Sequence, residues 1–92
     1  MAGIADSTVP RFPHGVRFRE DKARGAFILV APERIFNADE VSVEILKRID
    51  GKASLGEILE ALSLIFAADL AVIRPDGESF LLDLQSKQMV TL

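Results

Sequence analysis

The chain has no cysteine among its 92 residues, so it offers neither a disulfide framework nor a thiolate site for a metal. Its single histidine, His14, stands between Pro13 and Gly15 with no carboxylate at ligand spacing. One histidine of this kind cannot complete a nucleophilic triad, and no serine stands in a nucleophile-elbow context. We therefore expect a protein that is not an enzyme and that carries no metal or other cofactor.

Nucleotide-binding motifs and long apolar runs are missing as well. The glycines match neither the dinucleotide-binding motif nor the P-loop, which leaves nucleotide binding without support. No apolar run approaches the ~18 residues that a membrane span needs. The lack of cysteine is compatible with the cytosol. We expect a cytoplasmic protein with no membrane partner.

Excess positive charge is also absent, because 11 basic residues are outnumbered by 14 acidic ones and the net charge is −3. Nucleic-acid modules draw most of their affinity from phosphate contacts and usually present a basic face. This charge balance argues against a nucleic-acid partner.

The acidic residues also give no sign of an acid–base site. The carboxylates stand where helix caps, helix dipoles and solvent faces account for them, and no spacing indicates a catalytic pair.

The length and hydrophobic content of the chain suit one domain with one compact core, since 49% of the residues are hydrophobic. The first 13 residues mix small and polar residues with two prolines, a composition typical of a mobile terminus. We expect a mobile leader over residues 1–13 and a single domain over residues 14–92.

Strands are predicted in the first half of the chain. Residues 16–19 alternate apolar and polar side chains, and residues 26–31 form a short apolar run rich in strand formers. A polar loop that ends at Gly25 joins them into a hairpin. Pro32 interrupts the ladder because proline cannot donate a hydrogen bond, and residues 34–36 are predicted to form a short third strand.

Helices are predicted in the second half of the chain. Asn37 with Glu40 three residues later matches a capping box, and Gly51 ends the helix that follows. A second capping box spans residues 54–57, and Pro75 suits the first turn of a third helix. The fold class predicted from this order is α+β: a winged helix-turn-helix-like domain with three N-terminal antiparallel strands followed by three helices.

The apolar periodicity of the helices predicts which side chains reach the core. Val41, Ile45 and Ile49 share one stripe of the first helix, and the third helix presents Phe80, Leu81 and Leu84. Residues 89–92 then form a short extended segment at the end of the chain.

Two adjacent amphipathic helices raise the possibility of a small winged helix-turn-helix regulator that binds protein or DNA. A DNA reader places Arg, Lys, Asn or Gln on its recognition helix. Residues 53–73 contain no lysine or arginine, but they do contain Glu57, Glu60 and Asp69. Phosphate would repel such a helix, so DNA binding is the weaker alternative.

The third strand offers a different kind of site. A short strand that starts after Pro32 is expected at a sheet edge, and an unpaired edge is a template for an added strand. If a helix packs alongside, strand and helix form a groove for an extended peptide. The opposing interpretation is an edge that binds nothing and that Arg34 protects with its charge. The residues alone leave both interpretations open.

The order and spacing of several motifs resemble the PqqD family, the small proteins of pyrroloquinoline quinone biosynthesis, and the wider group of peptide-recognition domains built on it. The similarity runs from about residue 9 to about residue 90. Its matching residues are Arg11, GVRF at 15–18, ILVAPE at 28–33, Asn37, IL at 45–46, IDG at 49–51, the helix at 55–66, Phe80, Leu81 and Leu84. The chain departs from the family pattern at residues 12–14 and at Pro75 and Gly77.

The resemblance implies a non-catalytic partner that binds a ribosomally made precursor peptide and presents it to a radical S-adenosylmethionine enzyme. That enzyme cross-links a glutamate to a tyrosine of the peptide, and any iron–sulfur cluster would belong to it. In related recognition domains the peptide leader adds as a strand beside the third strand and against the third helix. Carried onto this chain, the peptide-binding residues would be Arg34, Ile35, Phe36, Asn37, Phe80, Leu81, Leu84 and Lys87.

A free strand edge also has consequences for assembly. Such an edge can pair with its own copy, and a hairpin beside a proline break can swap between chains. We therefore expect that a homodimer can form, through the edge strand or a swapped hairpin, when no peptide is present.

Overall fold

The computed structural model describes residues 3–92 and confirms the predicted order of three strands followed by three helices. The elements are β1 (Arg17–Asp21), β2 (Ala26–Ala31), β3 (Arg34–Ala38), α1 (Glu40–Leu46), α2 (Leu55–Ile65) and α3 (Leu70–Ser86). The fold class is α+β, as predicted. No helix within residues 3–92 is long and apolar enough to cross a membrane.

The strands form one antiparallel sheet in the order β1-β2-β3. Gly25 closes the turn between β1 and β2 with a φ of +65°, a conformation that glycine adopts without steric cost. The register places Phe18 opposite Leu29 and Leu29 opposite Phe36, so these three side chains share one face of the sheet. Leu29 is fully buried, which identifies this face as the one that packs on the helices.

Helix α1 begins two residues later than its predicted start, which corrects the assignment of Asn37 as its N-cap. Asn37 instead continues β3, where it pairs with Ile28. Asp39 is the N-cap, and its carboxylate accepts a hydrogen bond from the Ser42 backbone N–H at 2.8 Å. Both Asn and Asp are good N-caps, and pairing with β2 decides between them.

The prediction that Gly51 ends the first helix is wrong, because α1 ends at Leu46 with Lys47 as its C-cap, and Gly51 lies in the connection to α2. Gly51 has a φ of +78°, and Asp50 beside it accepts hydrogen bonds from the backbone N–H groups of Lys52 and Ala53. These two bonds hold the pKa of Asp50 below its usual range. Ser54 and Glu57 form the complete capping box that starts α2.

Helix α3 corrects another prediction, because it begins at Leu70 and not at Pro75. Pro75 is the sixth helical residue, and its missing N–H would have bonded to the carbonyl of Ala71. Both residues are exposed, so water can reach that carbonyl. Two residues on, Gly77 is buried against α2: a Cβ there would lie 3.0 Å from Cδ2 of Leu59. Glycine at this position lets the two helices pack closely.

The core lies between the inner face of the sheet and the three helices. The end of the chain contributes to it, because Met89 and Val90 are each only 1% exposed and Thr91 bridges to Arg11. The other large side chains within residues 3–92 that are at most 2% exposed are Pro10, Leu29, Ile45, Leu46, Leu55, Ile58, Leu59, Leu62, Leu81 and Leu84.

The N-terminal segment packs on the helices, so the domain boundary predicted at residue 13 does not coincide with a break in the packing. Ile4 is 8% exposed, and its backbone N–H donates to Glu78 of α3 at 2.8 Å. The carbonyls of Asp6 and Thr8 accept from the first residues of α2, and Asp6 also pairs with Arg74. Mobility of the leader stays a prediction, and its first two residues lie outside the described part of the chain.

Replacing Ile4 by serine tests whether the packed segment contributes to stability. We expect Ile4→Ser to lower the free energy of unfolding by about 2 kcal/mol, because it removes a large apolar side chain from the core. The matched control is Ala5→Ser at the exposed neighbouring position, which should change it by less than about 0.5 kcal/mol. Equal stability of the two variants in urea unfolding would show a leader that is detached in solution.

Candidate functional site

The free edge of β3 is the first component of the candidate site. Only β2 pairs with β3 among residues 3–92, so the other side of β3 presents backbone N–H and C=O groups without a strand partner. This confirms the prediction that the third strand lies at a sheet edge. A strand edge of this kind can accept a further strand.

Helix α3 lies beside this edge and makes it one wall of a groove. The rings of Phe36 on β3 and Phe80 on α3 have their centroids 5.7 Å apart and are tilted by 53°. This is the geometry that aromatic pairs favour. Two of the residues predicted for the site, one from each element, are therefore in contact.

The two ends of the groove differ in character. Beside the turn from β2 to β3, Arg34 and Lys87 line a shared hollow of about 330 Å³ together with Glu33 and Ser86. The ammonium group of Lys87 also pairs with Asp83 at 3.0 Å. This end brings a second pair of predicted residues together, in a polar setting.

At the other end the groove opens into an apolar cleft of about 450 Å³ between α1, α2 and α3. Phe80 belongs to both the groove and the cleft. The residues that line the cleft are Asp39, Val41, Ser42, Ile45, Leu62, Phe66, Val72, Ile73, Asp76, Gly77 and Phe80. We call this space the apolar cleft below.

Sequence reasoning missed most of the apolar cleft. The core stripe predicted for α1 includes Val41, but Val41 is 47% exposed and lies on the cleft, whereas Ser42 and Val43 are buried. Val72 precedes the predicted helix start at Pro75, but it lies in α3 with 62% of its surface exposed. The signal that could have indicated the cleft is the presence of these apolar side chains, Val41 and Val72, close to the predicted starts of the first and third helices.

The remaining predicted residues occupy two different environments. Ile35 and Asn37 alternate with Phe36 along β3, so their side chains lie on the outer face of the sheet, and Ile35 is 66% exposed. Leu81 and Leu84 are fully buried in the core. In this structure Ile35 and Asn37 contribute backbone groups at the free edge of β3, and the buried Leu81 and Leu84 anchor α3 in the core.

Asp39 stands where β3 ends and α1 begins, on the rim of the apolar cleft. The hydrogen bond from the Ser42 N–H is the main cause that holds the pKa of Asp39 below its usual value. The carboxylate is therefore charged at neutral pH. Within residues 3–92, no group of three or more His, Cys, Asp or Glu side chains is placed to hold a metal ion.

Replacing Asp39 separates its charge from its capping role. A lowered pKa in the folded state means that the stabilisation is complete above the ordinary Asp pKa, about 3.9, and is lost as the pH falls through the lowered value. We expect Asp39→Ala to lower the free energy of unfolding by about 1 kcal/mol at pH 7. Asp39→Asn keeps the cap and should lose less.

The pH series supplies the control for this prediction. Between pH 5 and pH 2, urea unfolding of the unaltered protein should lose stability more steeply than that of Asp39→Asn, because only the former must protonate this carboxylate on unfolding. Parallel curves for the two proteins would contradict the assigned cause.

Together, the three-stranded sheet, the following three helices and the free edge of β3 beside α3 define a small α+β, winged helix-turn-helix-like domain with a candidate strand–helix groove. The chain belongs to the PqqD family: the family model described as coenzyme PQQ synthesis protein D matches residues 26–90.

Curated relatives agree with this assignment. The chain is 35% identical over 92 residues to the PqqA binding protein of Xanthomonas axonopodis pv. citri, with both chains covered completely. It is 39% identical over 87 residues to the bifunctional coenzyme PQQ synthesis protein C/D of Methylorubrum extorquens. That alignment covers 95% of this chain and 23% of the relative, so the chain spans about a quarter of the bifunctional protein's length.

Solved structures are similar as well. The solution structure of the PqqD truncation of Methylobacterium extorquens PqqCD matches with a TM-score of 0.81 and 37% identity, covering 98% of this chain and 96% of that one. It is described as a functional, stand-alone recognition element for ribosomally synthesized and post-translationally modified peptides. The crystal structure of PqqD from Xanthomonas campestris matches with a TM-score of 0.60 and 32% identity, covering 97% and 99%.

Proposed function

We propose that this protein binds the ribosomal precursor peptide of pyrroloquinoline quinone biosynthesis in the groove between β3 and α3. The observation that carries the proposal is the free edge of β3 beside the contact between Phe36 and Phe80. Relatives that cover the whole chain are named PqqA binding protein, and a similar structure is described as a peptide recognition element. These descriptions support a peptide as the occupant.

The peptide would bind by adding a strand to the sheet. Backbone hydrogen bonds to β3 supply affinity that depends little on the peptide's sequence, and side chains on one face of the added strand enter the groove. Phe36 and Phe80 form its apolar middle, and Arg34 and Lys87 its polar end. Leu81 and Leu84 are fully buried and hold α3 in place, so direct contact with the peptide falls to the other predicted residues.

The protein would act as a non-catalytic chaperone in the cytoplasm. Holding the peptide's leader and docking on a radical S-adenosylmethionine enzyme raises the effective concentration of the reacting segment at that enzyme's site. Thiolate ligands for an iron–sulfur cluster would come from the enzyme, since this chain has no cysteine. The enzyme partner rests on the family resemblance.

Backbone methylation of the peptide tests strand addition directly. In an added strand, alternate N–H groups point toward β3 and the others point to solvent. Synthetic PqqA peptides with N-methyl groups at residues of one parity should therefore bind at least about tenfold more weakly, because several hydrogen bonds are lost. Methylation at the other parity should leave binding nearly unchanged, as measured by titration calorimetry.

Amide shifts and a pair of phenylalanine variants locate the site. The unmethylated peptide should shift the amides of residues 34–37 and of α3 around Phe80. Phe80→Ala should weaken binding by about tenfold or more. Phe12→Ala is the matched control, because both rings are half-buried against the core and only Phe80 lines the groove. Shifts confined to other surfaces, or equal losses from both variants, would contradict the proposed site.

We also propose that the free edge supports a homodimer when no peptide is bound, through edge pairing or a swapped hairpin. The exposure of Ile35 on this strand supports an association that buries it. Light scattering should show the average mass rising toward twice that of the monomer with concentration, and added PqqA peptide should reverse the rise if edges pair. A constant monomer mass up to millimolar concentration would contradict dimer formation.

The winged-helix regulator has no supporting observation in the structure. Helix α2 carries Glu57 and Glu60 and no lysine or arginine, so it offers phosphate no counter-charge. A regulator that binds DNA would need that charge on another surface.

A further inference from the structure

The apolar cleft continues the line of β3 beyond the end of the strand. Asp39 directly follows the last residue of β3 and lines the cleft, and Phe80 joins the cleft to the groove. A peptide strand that pairs with β3 and extends past Ala38 therefore runs over the cleft. This position makes the cleft a second place where the peptide's sequence can be distinguished.

The walls of the cleft are apolar and open to solvent. Val41 from α1 and Val72 from α3 line it with 47% and 62% of their surfaces exposed, and Phe66, which directly follows α2, is half-buried. Apolar side chains that face a cleft gain free energy when another apolar group covers them. The occupant therefore needs an apolar portion.

The rim of the cleft carries charge of one sign. Asp39 and Asp76 both line it, and no lysine or arginine is among the lining residues. The N–H of Ser42 keeps Asp39 ionised, and Asp76 is exposed and forms no ion pair within residues 3–92. By contrast, the opposite end of the groove presents Arg34 and Lys87. Charge complementarity therefore favours a cationic occupant at the cleft.

Lysine and arginine combine the two required features in one side chain. Their methylene stems cover apolar surface while the charged head stays at the solvent edge. Val41 and Val72 would contact the stem, and the carboxylates of Asp39 and Asp76 would meet the head. A neutral apolar side chain would supply no counter-charge to the two carboxylates, and an acidic one would be repelled.

We propose that the apolar cleft is a specificity subsite that receives a lysine or arginine side chain of the bound peptide, next to the segment that pairs with β3. The subsite rests on the proposed peptide-binding function and adds a charge requirement to it. The protein thereby selects peptides that place a basic residue at this end of the added strand, beyond what backbone pairing distinguishes.

Charge reversal on the protein tests the requirement. Asp76→Lys should weaken binding of the synthetic PqqA peptide by about fivefold at 50 mM salt, and the loss should shrink at 500 mM because salt screens exposed charges. Glu60→Lys is the matched control: it makes the same change of net charge on an exposed helix position outside the cleft. Its effect should stay below about twofold.

The apolar wall is tested with a second matched pair. Val72→Ser should weaken peptide binding about threefold, because it removes apolar surface from the cleft. Leu64→Ser changes an even more exposed side chain, at 83%, that does not line the cleft, and should leave binding unchanged. Circular dichroism spectra that match the unaltered protein show that both variants fold.

A peptide in which glutamine replaces every lysine and arginine completes the test. The unaltered protein should bind this peptide more weakly than the PqqA peptide, whereas Asp76→Lys should bind the two peptides with equal affinity. The glutamine peptide should also no longer shift the methyl signals of Val41 and Val72. If both peptides bind with equal affinity and shift residues 34–37 alone, the subsite is refuted while the groove stands. If neither peptide binds, the subsite and the proposed function are both refuted.

Discussion

The burial of Leu81 and Leu84 is the constraint on which the site depends. Both side chains are completely inside the core, so α3 cannot leave the sheet without exposing them. Their position turns the neighbouring residue Phe80 toward β3, where it meets Phe36. One face of one helix thus does two things: its buried residues provide stability, and its half-buried phenylalanine forms a wall of the groove. The candidate groove therefore lies at the margin of the core.

Much of the fold was predictable from the sequence because its determinants are local. Alternation in β1, the apolar run of β2, the break at Pro32 and the capping box of Ser54 with Glu57 each depend on residues within one element. The free edge followed from the same pattern. The assignment of the groove to β3 and α3 needed more, since these elements are distant along the chain and only the family resemblance paired them.

The predictions that proved wrong concern choices that distant residues decide. Asn37 is a good cap, yet pairing with Ile28 keeps it in the sheet. Pro75 suits a helix start, but the helix begins five residues earlier and packs Gly77 against Leu59. With only seven residues, α1 has too few turns for periodicity to choose between Val41 and Val43. The apolar cleft escaped detection for the same reasons.

The N-terminal segment helps to fix the position of α3, the helix beside the candidate groove. Glu78 and Arg74 lie on α3, and they hold residues 4 and 6 on the side of the helix away from β3. These contacts hold α3 in position in the absence of a binding partner. A wall that is already in place loses little conformational freedom on binding, so more of the contact energy appears as affinity. Residues 4 and 6 would therefore contribute to preorganisation of the candidate groove.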